Sequence, residues 1–156
     1  MSSVSDYAGR TVDVLAFAGV KAEGEANLQA SLLPEGSGGL VCTGIQKLAQ
    51  AWLLEFMTEQ GSVLYQKERG CPFMLYARLG RLNTELDVFQ AFLLSKSVLA
   101  ANLQRNEDGT EPDDERYVDC KLLSVEISPG VLSLKINLVS RAGTGRQIIL
   151  PIDTVI

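Results

Sequence analysis

The sequence predicts an α+β fold: two helices packed on a small antiparallel β-meander, with an extended N-terminal arm. Two segments with apolar residues three and four positions apart predict the helices. Three segments near the C-terminus alternate apolar and polar side chains, which predicts strands. The chain has 156 residues, which fits one domain at residues 42–156 and an arm or linker at residues 1–41.

The first predicted helix lies in the segment CTGIQKLAQAWLLEFMTEQG and spans about 17 residues. Thr43 and Gln46 have the spacing of a capping box, and Gly61 is placed to end the helix. We expect the apolar stripe to face the core, although an exposed face that binds a partner is the alternative. The stripe consists of Ile45, Leu48, Ala49, Trp52, Leu53, Phe56 and Met57.

The second predicted helix, ELDVFQAFLLSKSVLAANLQR, begins after Asn83 or Thr84, either of which can cap it. In the connection before it, SVLY predicts a short strand, and Cys71 followed by Pro72 predicts an extended or turning backbone. The side chains expected on the buried face of this helix are Leu86, Phe89, Phe92, Leu93, Leu99 and Leu103.

The predicted meander has three strands joined by the turn segments SPG and RAGTGR. An irregularity near Leu122 and Leu123 interrupts the alternation of the first strand. The third strand is QIILPI, and Pro151 predicts that it lies at the edge of the sheet or ends there. The side chains expected on the core face are Val118, Cys120, Leu122, Val125, Ile127, Leu132, Leu134, Ile136 and Leu138.

The N-terminal region, residues 1–41, is rich in Gly, Ala and Ser and has no sustained period. Within it, TVDVLAFAGV predicts one short strand and LPEGSGGL predicts a linker. Two interpretations stay open: an arm that becomes ordered only against another surface, or a short edge strand of the same domain.

The charge balance argues against binding to nucleic acid or to an anionic membrane. The net charge is -5 and no run of Lys or Arg occurs, whereas both partners require clustered positive charge. No apolar run approaches the ~18 residues of a membrane span, and the segment MSSVSDYAGR does not have the pattern of a secretory signal. We therefore expect neither a nucleic-acid nor a membrane partner.

The composition argues against the commonest kinds of catalytic site. It contains no histidine, so the commonest general base and metal ligand are excluded. Its three cysteines lie far apart in sequence and are expected to be reduced, buried thiols of a protein made in a reducing cytosol. The glycines of GTGR lie between strands and predict a hairpin turn rather than a phosphate loop. We expect no enzyme activity, no cofactor and no metal.

An acidic stretch precedes the meander and ends at a single arginine, Arg116. The loop NEDGTEPDDE holds six carboxylates and no positive charge, so it is expected to be solvated or paired with cations of a partner. Consecutive carboxylates on an extended chain point in opposite directions, so convergence on a metal ion is not expected. Arg116 either pairs loosely with Asp114 in solvent or anchors the loop and presents it to a partner.

The order of elements over about residues 43–153 resembles that of the sheath initiators, the baseplate wedge proteins of contractile phage tails, and of their relatives in type VI secretion baseplates. KERGCPFM resembles the family's GER…R-P-x-F-G stretch with compressed spacing, and DER resembles its E-P-R motif. Asp114 and Arg116 take the glutamate and arginine positions of E-P-R, and Glu115 replaces the proline. The residues that match the first motif in type are Glu68, Arg69, Gly70, Pro72 and Phe73.

The resemblance implies a structural virion protein with a fold similar to the inner domain of the sheath subunit. Six copies would form a ring around the tail tube, bind the baseplate wedge proteins and template the first ring of the tail sheath protein by β-strand addition. The protein would be assembled in the bacterial host cytoplasm and found in the tail baseplate. The residues expected to bind partners are Asp114, Glu115, Arg116, Glu68, Arg69, Gln147 and Ile149.

Two other functions stay open at the level of sequence. A tail-completion or head-tail connector protein could share an α+β fold and an arm. A small ligand-binding domain is the other alternative, although no convergent set of polar residues points to a ligand.

Overall fold

The computed structural model describes residues 9–14, 30–31 and 40–154 and has the expected α+β fold. The helices are α1 (Gly44–Met57), α2 (Phe73–Arg78) and α3 (Glu85–Asn106). The strands are β1 (Asp13–Val14), β2 (Ala30–Ser31), β3 (Leu40–Cys42), β4 (Tyr117–Ser128), β5 (Val131–Ser140) and β6 (Gly145–Asp153).

The C-terminal strands form the predicted antiparallel meander in the order β4-β5-β6. The predicted irregularity is a shift of register between Leu122 and Ser124. A second shift, between Tyr117 and Asp119, was not predicted. It turns Tyr117 into the core and leaves Val118 53% exposed, so the expectation that Val118 is buried is wrong. Ile127, near the end of β4, is also exposed rather than buried.

The core lies between the helices and the inner face of the sheet. Helix α1 contributes its predicted stripe, apart from Met57, which is exposed in the last turn. The helix ends at Met57 rather than near Gly61. The Phe56 ring lies 4.7 Å from that of Trp52 and 4.7 Å from that of Phe73, and so links α1 to α2. The inward side chains of β5 are all buried, as predicted: Leu132, Leu134, Ile136 and Leu138.

Helix α3 starts at the expected cap but turns a different face to the core. Thr84 forms a capping box with Asp87. Three of the side chains expected inside, Leu86, Phe89 and Leu93, are exposed, and Val88, Ala91 and Ser95 are among those buried instead. The helix has more apolar residues than one buried face can hold, so the pattern did not decide which of them face the core.

The connection between α1 and α3 differs from the expectation. Ser62–Tyr65, predicted as a strand, forms turns. The short helix α2 was not predicted, and it begins directly after Pro72, whose φ of -76° and ψ of -9° are helical. Proline fixes φ near the helical value and is accepted at a helix start, where its missing donor costs nothing.

The described part of the N-terminal region pairs with the segment that leads into α1. Strands β1 and β2 flank β3 in a small antiparallel sheet, with Asp13 opposite Cys42 and Ala30 opposite Val41. Residues 13–14 thus form a short strand within the predicted TVDVLAFAGV segment. Most of the predicted linker LPEGSGGL lies outside the described residues.

Among the described helices, α3 is long and apolar enough to span a membrane by length and composition alone. Its buried residues, including Val88, Phe92 and Leu99, belong to the core of the domain. The core helix of a globular protein passes the same test of length and composition, so this finding alone is weak support for a span.

Candidate binding site

The carboxylate of Glu115 lies at the N-terminus of α1. Its Oε1 accepts a hydrogen bond from the backbone nitrogen of Gly44 at 3.0 Å, and its Oε2 lies 3.2 Å from Lys47 Nζ. Thr11, in the N-terminal region, donates its hydroxyl to the same oxygen. Glu115 is only 6% exposed. A buried anion is therefore held by a helix N-terminus, a cation and a hydroxyl.

Glu115 replaces the cap that the sequence predicted for α1. The Thr43 side chain makes no capping hydrogen bond, so the expected capping box with Gln46 is wrong. A carboxylate 71 residues away bonds the first backbone nitrogen instead. A local pattern could not reveal this acceptor, because it reaches the helix only through the tertiary fold.

Glu115 belongs to a short 3-10 helix, Asp113–Glu115, which we call the acidic turn. The sequence predicts an extended chain for these residues. In the structure they form a turn, which directs the carboxylates of both Asp114 and Glu115 at the start of α1. Asp114 Oδ2 lies 2.6 Å from Arg10 Nη1. The expectation that the acidic loop has no cation of its own chain is therefore wrong, because Arg10 and Lys47 both pair with it.

Gly44 makes this close approach possible. Its φ is +61°, and a Cβ at this position would lie 2.9 Å from Asp114 Oδ2 and 3.1 Å from Arg10 Nη1. A side chain would therefore be strained and would displace the ion pair. Gln50 continues the contact with the N-terminal region by donating to Asp13 Oδ2 at 3.1 Å.

Arg116 holds the loop that precedes β4. Its Nη2 donates to the carbonyl oxygen of Gly109 at 2.5 Å, and its Nη1 lies 3.9 Å from Asp113 Oδ1. The expected pairing with Asp114 is wrong, because that carboxylate binds Arg10. With its side chain 18% exposed, Arg116 has the geometry of a loop anchor rather than of a freely solvated cation.

A second buried carboxylate, Glu55 on α1, organises the KERG segment. It accepts hydrogen bonds from Arg69 Nε at 2.7 Å and from the Gly70 nitrogen at 2.8 Å. Asn102 donates to the carbonyl oxygens of Glu68 at 2.9 Å and Gly70 at 3.0 Å. Arg69 therefore binds its own chain, while the Glu68 side chain is exposed. Sequence reasoning missed Glu55 and Asn102, polar residues on otherwise apolar buried faces.

Gly70 has no room for a side chain. Its φ is +82°, and a Cβ would lie 2.2 Å from the carbonyl oxygen of Thr58. That oxygen accepts a hydrogen bond from the Cys71 nitrogen at 2.9 Å. The glycine of the KERG segment thus allows the loop to close against the end of α1.

Glu55 and Glu115 line the same shallow cleft. Lys47, Glu107 and Glu111 also line it. Among the residues that the structure describes, no group of three or more Cys, Asp or Glu side chains has a geometry suited to a metal ion. The cleft therefore lies between Glu115 of the acidic turn and Glu55, the carboxylate that holds the KERG segment.

The predicted binding residues Gln147 and Ile149 lie on β6, which forms an edge of the meander among the described residues. Backbone groups in an antiparallel strand face its two sides alternately. Thr144 and Thr154, at either end of β6, bond to the β5 side, so the odd-numbered residues between them face the free edge. Pro151, which cannot donate, is one of these. Gln147 and Ile149 each present an N–H and a C=O outward.

The three cysteines are buried, as expected. Burial raises the pKa of the Cys42 thiol and that of the Cys71 thiol to about 11. Burial also raises the pKa of the Cys120 thiol. Thiols that stay protonated are poor nucleophiles, so these groups act as small apolar side chains.

Comparisons with protein-family models, curated proteins and solved structures give no match. The predicted binding residues occupy three places in the fold: the acidic turn with Arg116, the KERG segment, and the edge of β6. Most polar side chains of the first two places bind within the chain. The edge of β6 is different, because its outward backbone groups have no strand beside them among the described residues.

Proposed function

We propose that this chain is a structural protein of a contractile phage tail baseplate, which joins wedge proteins and templates the first ring of sheath. The observation that carries the proposal is the outer edge of β6, which has no strand beside it in the described part of the chain. Its nine residues pair with β5 without a bulge, so its outer side offers a regular row of backbone donors and acceptors. Such an edge can accept an extended strand from another protein.

The first part of this edge is not protected against strand addition. Natural edge strands are usually blocked by bulges, prolines or charged side chains. The outward positions Gly145, Gln147 and Ile149 carry none of these, and Ile149 is 69% exposed. Pro151 and Asp153 protect only the far end. A strand that pairs beside Gln147 and Ile149 would bury an apolar side chain and satisfy four backbone groups.

The loop anchored by Arg116 supplies a second contact in this proposal. Arg116 fixes the Gly109 carbonyl, while the carboxylates of Asp108 and Asp113 remain exposed. A rigid loop with exposed negative charge suits a basic surface on a wedge protein. In the assembled tail, six copies would surround the tube and present β6 to incoming sheath subunits.

The test is sheath nucleation on particles that carry an Ile149→Pro substitution. Proline at this outward position removes one edge donor and leaves the hydrogen bonds to β5 in place, as Pro151 already does. Ile149→Val is the matched control, since it keeps the donor and a branched apolar side chain. Purified sheath protein, wedge proteins and each variant would be mixed and examined by electron microscopy.

We expect sheath tubes to start from complexes with the wild-type chain and the Val variant but not with the Pro variant. Equal nucleation by all three would exclude strand addition on β6. Binding to a neck ring would favour the head-tail connector instead, and no binding to any tail component would overturn the assignment to the tail. Circular dichroism of the Pro variant establishes that it is folded.

A further inference from the structure

Helix α3 exposes an apolar face that the baseplate proposal does not use. Leu86 is 63% exposed, Phe89 and Leu93 are each 47% exposed, and Leu94 is 56% exposed. Between Glu85 and Arg105 the helix carries two charged side chains, Asp87 and Lys96; both are only partly exposed, and Lys96 pairs with Asp119. A contiguous apolar surface of this kind indicates an interaction site. We call the following residues the α3 outer face: Leu86, Phe89, Gln90, Leu93, Leu94, Ser97, Ala101 and Gln104.

The α3 outer face has bulky and small halves. Residues 86–94 contribute the large side chains, whereas Ser97 and Ala101 are small. The spacings of three and four residues place Leu86, Leu93 and Ser97 along one stripe. The helix has 22 residues and is therefore about 33 Å long. A second helix of the same length would cover the whole face.

An antiparallel copy of α3 matches this asymmetry. If the two helices cross midway between Leu93 and Ser97, Leu93 of each copy lies opposite Ser97 of the other. Phe89 then lies opposite Ala101, and Leu86 opposite Gln104, by the same register. The bulky half of one helix therefore meets the small half of the other, and small residues let the two backbones approach closely.

Charge at the helix ends favours the same arrangement. The first turn is acidic, with Glu85 and Asp87, and the last turn is basic, with Arg105. Asp87 and Arg105 are 18 residues apart, which is about five full turns, so they lie on the same flank of the helix. A two-fold axis between antiparallel helices places the same flank of each copy side by side. Asp87 of each copy then lies near Arg105 of the other, so one charge pair forms at each end of the interface. Neither Asp87 nor Arg105 forms an ion pair with another described residue.

We infer that the α3 outer face binds a second copy of this chain, with the two α3 helices antiparallel about a two-fold axis. The inference does not depend on the baseplate proposal, because it uses a different surface. The area buried by a single helix pair is near the lower limit for specific interfaces. The dimer should therefore be weak, and its population should rise with protein concentration.

The first test is sedimentation velocity on the full chain over a range of concentrations. Leu93→Glu should weaken the dimer about tenfold or more, because it places a charge at the centre of the interface. Leu64→Glu is the matched control, since Leu64 is an exposed leucine outside the α3 outer face. A chain that stays monomeric at every concentration overturns the inference, as does a dimer that Leu93→Glu leaves unchanged.

The second test uses the charges and fixes the direction of pairing. Asp87→Arg, which also removes the acceptor of the Thr84 capping box, and Arg105→Asp should each weaken the dimer. An equal mixture should restore it, because both flanking pairs are rebuilt between unlike chains in the antiparallel arrangement. Failure of the mixture, with both variants folded by circular dichroism, excludes this register and points to a different occupant of the face.

Cysteine pairing gives an independent readout. Leu93→Cys and Ser97→Cys, mixed and oxidised, should form a disulfide-linked dimer of unlike chains in preference to either variant alone. The native cysteines are buried and should not compete. Cross-linking that is no greater in the mixture than in the separate variants contradicts the antiparallel register.

Discussion

Glu115 Oε1 accepts a hydrogen bond from the backbone nitrogen of Gly44 at 3.0 Å, across 71 residues of the sequence. The same carboxylate binds Lys47 and Thr11, so the acidic turn, the start of α1 and the N-terminal region meet at one buried group. The charges that the sequence marked as a contact for partners thus have a first role within the domain. Of the three residues of the acidic turn only Asp113 is exposed, so the proposed contact with partners falls to it and to the loop before it.

Replacing Glu115 with Gln should destabilise the domain by about 1–3 kcal/mol. The amide keeps the shape but loses the charge that Lys47 and the helix N-terminus stabilise. Urea denaturation of wild type and variant measures the difference in the free energy of unfolding. Asp113→Asn is the control, because Asp113 is exposed and its ion pairs are long, at 3.7 and 3.9 Å. Equal effects of the two substitutions would contradict a special role for Glu115.

Alanine at Gly70 should be more damaging than alanine at Gly61. Both glycines have a positive φ, of +82° and +83°, so each substitution costs about 1–2 kcal/mol of backbone strain. At Gly61 nothing lies within 4 Å of the added Cβ, whereas at Gly70 the Thr58 carbonyl oxygen is 2.2 Å away. Gly70→Ala should therefore lose about 1–3 kcal/mol more. Equal losses in chemical denaturation would mean that the loop moves to accommodate the methyl group.

The meander was predictable because its signal is local. A strand with one buried face shows a period of two, and β5 places its four alternating apolar residues in the core as expected. Of the two shifts of register in β4, only the one near Leu122 was predicted. Leu122 and Leu123 break the alternation visibly, whereas Val118 continues it and hides the shift between Tyr117 and Asp119.

Helix α3 shows where a local signal is insufficient. Its position and its Thr84 cap were predicted, but half of its expected buried face is exposed, because apolar residues surround most of the helix.

The candidate site shows a second limit. The partners of Glu115 and Asp114 come from distant segments, so the sequence wrongly paired Asp114 with Arg116 and missed Glu55 and Asn102.

The domain should lose stability as the pH rises from about 9 to about 11. The ordinary thiol pKa of 9.0 is raised to about 11 in the folded state for Cys42 and Cys71, since burial penalises the thiolate. In this window the unfolded chain releases thiol protons that the folded chain retains, so unfolding becomes more favourable. The stability due to the protonated thiols is fully present below pH 9.

Urea denaturation between pH 8 and pH 11 measures this dependence. Cys71→Ala removes one of the three thiols whose pKa burial raises, and it should flatten the curve, whatever its effect on stability at pH 8. A curve for Cys71→Ala parallel to that of wild type would contradict the assignment. Ellman's reagent at pH 8 should label the folded chain far more slowly than the chain in urea.

Under the proposed baseplate function, Arg116→Ala should abolish binding to wedge proteins while the domain stays folded. The substitution frees the Gly109 carbonyl and leaves the loop before the acidic turn without its anchor. Arg141→Ala is the matched control, because Arg141 also pairs with Asp113, at 3.7 Å, but is exposed and makes no hydrogen bond to the loop carbonyl at Gly109. Exposed ion pairs contribute about 0–1 kcal/mol, so Arg141→Ala should be nearly silent.

Two measurements separate the anchor from a merely stabilising residue. Hydrogen exchange should show faster exchange at the amides of Thr110 and Glu115 in Arg116→Ala, with the amides of β5 unchanged. Pull-down with wedge proteins should fail for Arg116→Ala and succeed for Arg141→Ala. If Arg116→Ala exchanges faster in the loop and still binds, the loop is anchored by Arg116 but is not the wedge contact. If neither exchange nor binding changes, Arg116 has no anchoring role.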